Sequence, residues 1–116
     1  MHELSLVEAL IEQLEQTARS EGLQRVTALT VTVGSLSHVS VEALRFCFEA
    51  CQSGTVAEAA VLVIETETGL ARCPACQREA PAQDWLDACP SCGHVGRHIL
   101  SGRDVRLKSI RGLIDP

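Results

Sequence analysis

Leu4, Val7, Ile11, Leu14 and Ala18 recur at steps of three and four, the stripe of an amphipathic helix. Leu10 widens that stripe, while Glu8, Glu12, Glu15 and Gln16 lie off it. Gly22 follows the last turn as a C-cap. The helix is therefore expected to begin near residue 4, leaving Met1, His2 and Glu3 ahead of it. Residues 26–33 alternate, with Leu29, Val31 and Val33 on one face and Thr30 and Thr32 on the other, which predicts a strand. Residues 34–38 read as a loop. Ser40 is then a suitable N-cap for a second helix in which Leu44, Cys47, Phe48 and Cys51 share a face, with Gly54 closing it. Residues 61–64 form a short apolar run, read as a buried strand continuing towards Glu67. After Gly69 the periodicity disappears, and residues 72–99 are rich in Cys, Pro, Gly and His instead. Alternation returns with Val105, Leu107 and Ser109 against Arg106, Lys108 and Ile110, a final strand.

This order predicts an α+β fold, two helices packed on a small, about three-stranded sheet, with a zinc-ribbon-like four-cysteine module inserted between the last two strands. Too few units alternate for a doubly wound sheet. The expected division is residues 1–70 plus 102–116 as one domain and residues 71–101 as the cysteine module. Aromatics are only 3% of the chain, namely Phe46, Phe48 and Trp85, so the core must be aliphatic. A formal charge of −5 argues against nucleic acid as the main partner, since phosphate contacts supply most non-specific affinity. Arg97, Arg103, Arg106, Lys108 and Arg111 nevertheless leave a local basic face. No cationic and apolar leader precedes residue 10, and no apolar run approaches the roughly 20 residues of a membrane span. A cytoplasmic protein is expected, in which six cysteines point to metal or redox chemistry rather than disulfides.

Cys73-Pro-Ala-Cys76 and Cys89-Pro-Ser-Cys92 supply that chemistry. A two-residue gap lets both thiolates of a pair converge on one ion, and two pairs complete a tetrahedron. Such a site is closed to water and substrate, so its role is structural. About thirty residues with one aromatic cannot build a core alone, and metal binding would supply their folding energy. Iron is chemically possible in place of zinc, whereas a thioredoxin-type redox site needs one pair at a helix N-terminus rather than two facing pairs. His94 and His98, just beyond the second pair, read as exposed loop residues or as auxiliary ligands. Cys47 and Cys51 read as small buried hydrophobes of the second helix.

Met1-His2-Glu3 places an α-amine, an amide, an imidazole and a carboxylate within three residues. An amine followed by histidine closes chelate rings through the intervening amide nitrogen, an arrangement suited to Ni(II) or Cu(II). With reference pKa values of about 7.7 and 6.5, both donors deprotonate near neutrality. A histidine at position 2 is also compatible with no metal role.

Met1-His2-Glu3-Leu4-Ser5, Gly34, Leu44, Phe46, Phe48, Glu49, the run Gly54-Thr55-Val56-Ala57-Glu58, the two cysteine pairs twelve residues apart and Lys108-Ser109-Ile110 together resemble the HypA/HybF family of hydrogenase nickel-incorporation proteins along essentially the whole chain. The resemblance implies a nickel metallochaperone for [NiFe] hydrogenase maturation, with urease served by some members. It implies nickel binding at Met1, His2 and Glu3, and structural zinc on Cys73, Cys76, Cys89 and Cys92. It also implies a nickel-binding GTPase and the hydrogenase large subunit as partners. Some members supply a further acidic ligand before the second helix, where this chain has Ser40, with His38 and Glu42 as substitutes nearby.

No nucleophile–base pair, phosphate-cradling loop or open zinc position is visible, so no enzyme is expected. The alternative is a zinc-ribbon module that binds nucleic acid or protein through the basic face, which predicts salt-dependent binding unaffected by His2.

Overall fold

The computed structural model describes residues 2–114, with side chains from Glu3 onwards. Its elements run α1 (His2–Glu21), β1 (Leu23–Gly34), α2 (Val41–Cys51), β2 (Val61–Glu67), β3 (Gly69–Arg72), β4 (Glu79–Ala82), β5 (His98–Ser101) and β6 (Val105–Ile114). The α+β reading holds: two helices accompany a three-stranded sheet in the order β2-β1-β6, so the two outer strands flank the first one formed in the chain. Among the described residues no helix is long and apolar enough to cross a membrane.

Local boundaries differ from expectation for identifiable reasons. The first helix starts at His2 rather than near residue 4, because Glu3 in its first turn favours the positive helix end. The second helix ends at Cys51, with Gln52 as C-cap, and not at Gly54. Gln52 turns its side-chain amide onto the carbonyls of Ala57 and Ala60 (2.9 and 3.2 Å), which draws the chain out of the helix early. The last strand continues to Ile114.

The chain divides into two compact units. The first comprises residues 1–31, 39–64 and 107–116. Val7, Leu14 and Ala18 of α1, Val26, Leu29 and Val31 of β1, Leu44, Cys47 and Phe48 of α2 and Leu62 of β2 are all buried in it. Burying each large side chain contributes roughly 1.5–3 kcal/mol, so this set, aliphatic but for Phe48 and Cys47, supplies the main favourable term for the unit. Hydrogen bonds fasten the segment between α2 and β2: Val56 donates to Glu15 Oε1 (2.9 Å) and accepts from the Val26 amide (2.9 Å). The run from Gly54 to Glu58 is thus a buckle between helix and strand.

The second unit comprises residues 32–38 and 65–106 and contains a second antiparallel sheet, in the order β4-β3-β5. Gly69 pairs with Ala82 and Arg72 with Glu79 on one side, and Arg72 with His98 on the other. None of these four-residue strands was expected, since each is too short to display a period and β4 contains Pro81. The core of the unit is small: Leu36, Ala71 and Ala82, with Ile99 packed against them. Gly34 and Gly102 meet where backbone passes backbone. A Cβ at Gly34 would lie 2.1 Å from the Gly102 carbonyl oxygen, and Gly102 itself has φ +85°. The amides of Gly34 and Leu36 donate to Asp104 and Gly102 (2.9 and 2.8 Å) across this junction.

Candidate metal centre

Each cysteine pair is folded by its own backbone. Cys73 N–H donates to Arg78 O (3.0 Å) and Cys73 O accepts from the Gln77 amide (2.8 Å). The second pair repeats this, with Cys89 N–H on His94 O and Cys89 O on the Gly93 amide, both at 2.8 Å. In each, the residue after the second cysteine is left-handed: Gln77 at φ 67° and Gly93 at φ 80°. The chain therefore turns back at the same place twice, and both sulfurs of each pair face inwards.

The four sulfurs lie within 4.8 Å of one another, with Cys73 Sγ 3.5 Å from Cys92 Sγ and Cys76 Sγ 3.7 Å from Cys89 Sγ. A tetrahedron with metal–sulfur bonds of about 2.3 Å has edges of about 3.8 Å. No pair is at disulfide distance, and all six cysteines are free thiols. Cys73 and Cys89 are buried while Cys76 and Cys92 reach the surface.

Protonation within the set is uneven. The Cys76 amide lowers the Cys73 thiol against the opposing effect of burial. The Cys92 and Ser91 amides bring Cys89 down to about 6. At Cys92 the His94 amide also pulls downwards, but the neighbouring Cys73 sulfur, burial and the remaining cysteines outweigh it and push the group up to about 12. Four negative sulfurs repel one another, and a dication is what lets all of them ionise together. Size, donor type and charge all fit zinc.

The other sequence candidates are not drawn into this cluster. His94 and His98 are exposed, and among the described residues the cluster contains the four cysteines alone. Cys47 is buried on α2 as an apolar residue. His38, left-handed at φ 61°, stacks on Trp85 with ring centroids 6.4 Å apart, and Trp85 Nε1–H donates to Leu36 O (3.0 Å). Glu42 is exposed in the first turn of α2. Met1 and the side chain of His2 lie outside the described residues. The His2 backbone opens α1, and Glu3 Oε2 accepts a hydrogen bond from the Ser40 amide (3.1 Å). Sequence reasoning missed that last contact, which spans 37 residues and has no local signal.

The basic face is diminished by its own folding. Arg97 is buried, donating to the carbonyls of Asp87 and Pro81 (both 3.3 Å), and Arg106 pairs with Glu67 at 2.8 Å. Nothing here favours the nucleic-acid alternative.

The family model described as hydrogenase/urease nickel incorporation, metallochaperone, HypA matches residues 1–112. The chain is 41% identical over 110 residues to the hydrogenase maturation factor HypA of Geobacter metallireducens, covering 95% of this chain and 97% of that one. Its identity to the HypA of Chlorobaculum tepidum is also 41%, over 109 residues, with 94% and 96% covered. The solution structure of the Ni metallochaperone HypA from Helicobacter pylori aligns at TM-score 0.74 and 25% identity, covering 99% of this chain and 100% of that one.

Proposed function

The chain belongs to the HypA family, and from that premise we propose how its two metal chemistries divide: one closed site for shape and one open site for cargo. The protein is a nickel metallochaperone of hydrogenase maturation. Zinc is held by Cys73, Cys76, Cys89 and Cys92 and gives its unit a fold. Nickel is carried at Met1, His2 and Glu3, through the Met1 amine, the His2 amide and the His2 imidazole. The protein delivers Ni(II) without a catalytic step of its own, in the cytoplasm. Its partners are a nickel-binding GTPase and the large subunit of [NiFe] hydrogenase, with urease as a second destination.

What carries this reading is the cluster of four sulfurs within 4.8 Å of one another, which uses every position of a tetrahedral ion. Cargo has to bind elsewhere, with donors that can be exchanged. The start of α1 supports such a site. The first four N–H groups of a helix have no intrahelical acceptor, so the His2 amide can release its proton to solvent and bind the metal through nitrogen without breaking the helix. A terminal chelate is also open to a partner's ligands, which a closed cage is not.

Nickel titration by calorimetry tests this on zinc-loaded protein beginning at Met1, beside His2→Ala and a form with Gly-Ser ahead of Met1. Both variants are expected to lose about one nickel equivalent while retaining zinc. Equal nickel binding by all three forms would remove the terminus from the site.

A further inference from the structure

We propose that Glu3 is a positioning residue: its carboxylate completes the capping box of α2 from the first turn of α1 and so holds the nickel donors in place. The proposal rests on the terminal nickel site described above and assigns the Glu3 carboxylate its part in it.

A capping box pairs a Ser or Thr N-cap with a Glu or Gln three residues on, whose side chain returns to the N-cap amide. α2 has only half of one. Ser40 is its N-cap, at φ −75° and ψ 120°, and its hydroxyl accepts from the Ala43 amide (3.2 Å). The position that should reciprocate is Ala43 itself, which has no acceptor. Glu3 Oε2 takes its place, accepting from the Ser40 amide at 3.1 Å. Ser40 O meanwhile accepts the first helical bond, from Leu44 N–H (2.9 Å). The amide, hydroxyl and carbonyl of Ser40 thus each have a partner where α2 starts. One carboxylate meets the positive ends of two helices, α1 from within its first turn and α2 through the N-cap amide.

This geometry bears directly on nickel. The first turn of a helix has the least internal support, and His2 and Glu3 open that turn. A hydrogen bond at Glu3 raises the fraction of molecules in which the donors are presented together, and apparent affinity scales with that fraction. The function needs an acceptor oxygen at the right place rather than a metal-ligating charge. Glutamine supplies the first and alanine supplies neither.

The test uses the full zinc-loaded chain with its own terminus, nickel calorimetry, and amide exchange at residue 40 by NMR. Ser40→Pro deletes the donor N–H at a φ that proline accepts, and Ser40→Ala keeps that N–H while deleting the hydroxyl. Glu3→Gln is expected to keep nickel affinity within about twofold and to keep the Ser40 amide protected, whereas Glu3→Ala loses about fivefold, the worth of one hydrogen bond. Ser40→Pro should weaken nickel more than Ser40→Ala, and adding Glu3→Ala to Ser40→Pro should cost nothing further. If Glu3→Gln is as weak as Glu3→Ala while Ser40→Pro binds nickel no worse than Ser40→Ala, the carboxylate is a nickel donor and the proposal fails. Unchanged nickel binding by His2→Ala would instead remove the terminal site beneath it. Zinc content, measured on every variant, identifies any that has lost its fold.

Discussion

The two compact units are held by different physics. In one, Val7, Leu14, Val26, Leu29, Leu44 and Phe48 lie buried on two helices and a sheet. In the other, the three four-residue strands pack a small apolar cluster of Leu36, Ala71 and Ala82, with Ile99 against it. Hydrophobic burial supplies the main favourable term for the first unit. It falls short for the second, where the four thiols supply the remainder through an ion. The contrast explains why a protein that moves one metal keeps another: an ion that folds the chain has to stay, and an ion that is delivered must not be needed for folding.

Removing zinc is the strongest way to break this comparison. Structural zinc contributes on the order of 10 kcal/mol to small metallo-domains. Chelation, or Cys73→Ser with Cys89→Ser, is expected to abolish amide protection in β3, β4 and β5 and to change the fluorescence of Trp85, which the Leu36 carbonyl holds in place. Protection in α1 and α2 should survive. Hydrogen exchange with and without chelator reads both units at once, and a simultaneous loss throughout the chain would show that they are not held independently.

Phe48→Ala tests the converse. Phe48 is completely buried, and its truncation is expected to cost about 3–5 kcal/mol. The melting transition of the helical unit should fall by many degrees while zinc stoichiometry stays at one. Loss of zinc from this variant would mean that the thiol cluster depends on the aliphatic core after all.

How much of this was legible in the sequence follows the same boundary. Periodicity exposed α1, β1 and α2 because each buries one face of a regular element, and Ser40 announced its helix through local cap chemistry. The apolar run at residues 61–64 marked β2 but suggested a buried strand, whereas β2 buries Leu62 and leaves Val61 and Val63 exposed. The cysteine spacing likewise named the cluster, since both turns of each pair are local. The second sheet was invisible: its strands are too short for a period, and β3 pairs with β5 far along the chain, Leu70 opposite Ser101 and Arg72 opposite His98. Arg97 misled in another way, reading as part of a basic surface when its guanidinium is buried against carbonyls. The Glu3 contact with Ser40 is nonlocal in the same way as the pairing of β3 with β5. Pattern reveals what a segment does with its own neighbours, and it is silent on what distant segments do with each other.

The smallest effect separates the two cysteine turns themselves. Both reverse through a left-handed residue, yet one uses Gly93 and the other Gln77. A Cβ at Gly93 would meet nothing within 4 Å, so Gly93→Ala adds no clash and imposes only the left-handed penalty of about 1 kcal/mol. Gln77 bears that penalty already, and its side-chain amide recovers part of it by donating to Pro74 O (3.2 Å). Gln77→Gly would relieve the backbone but lose this bond and gain freedom in the unfolded chain, so it should change little. Competition for zinc against a chromogenic chelator is expected to show Gly93→Ala releasing the ion about fivefold more readily, with Gln77→Gly close to the parent. Equal behaviour of the two variants would mean that the tetrahedron, once an ion is bound, dictates the turns and not the turns the tetrahedron.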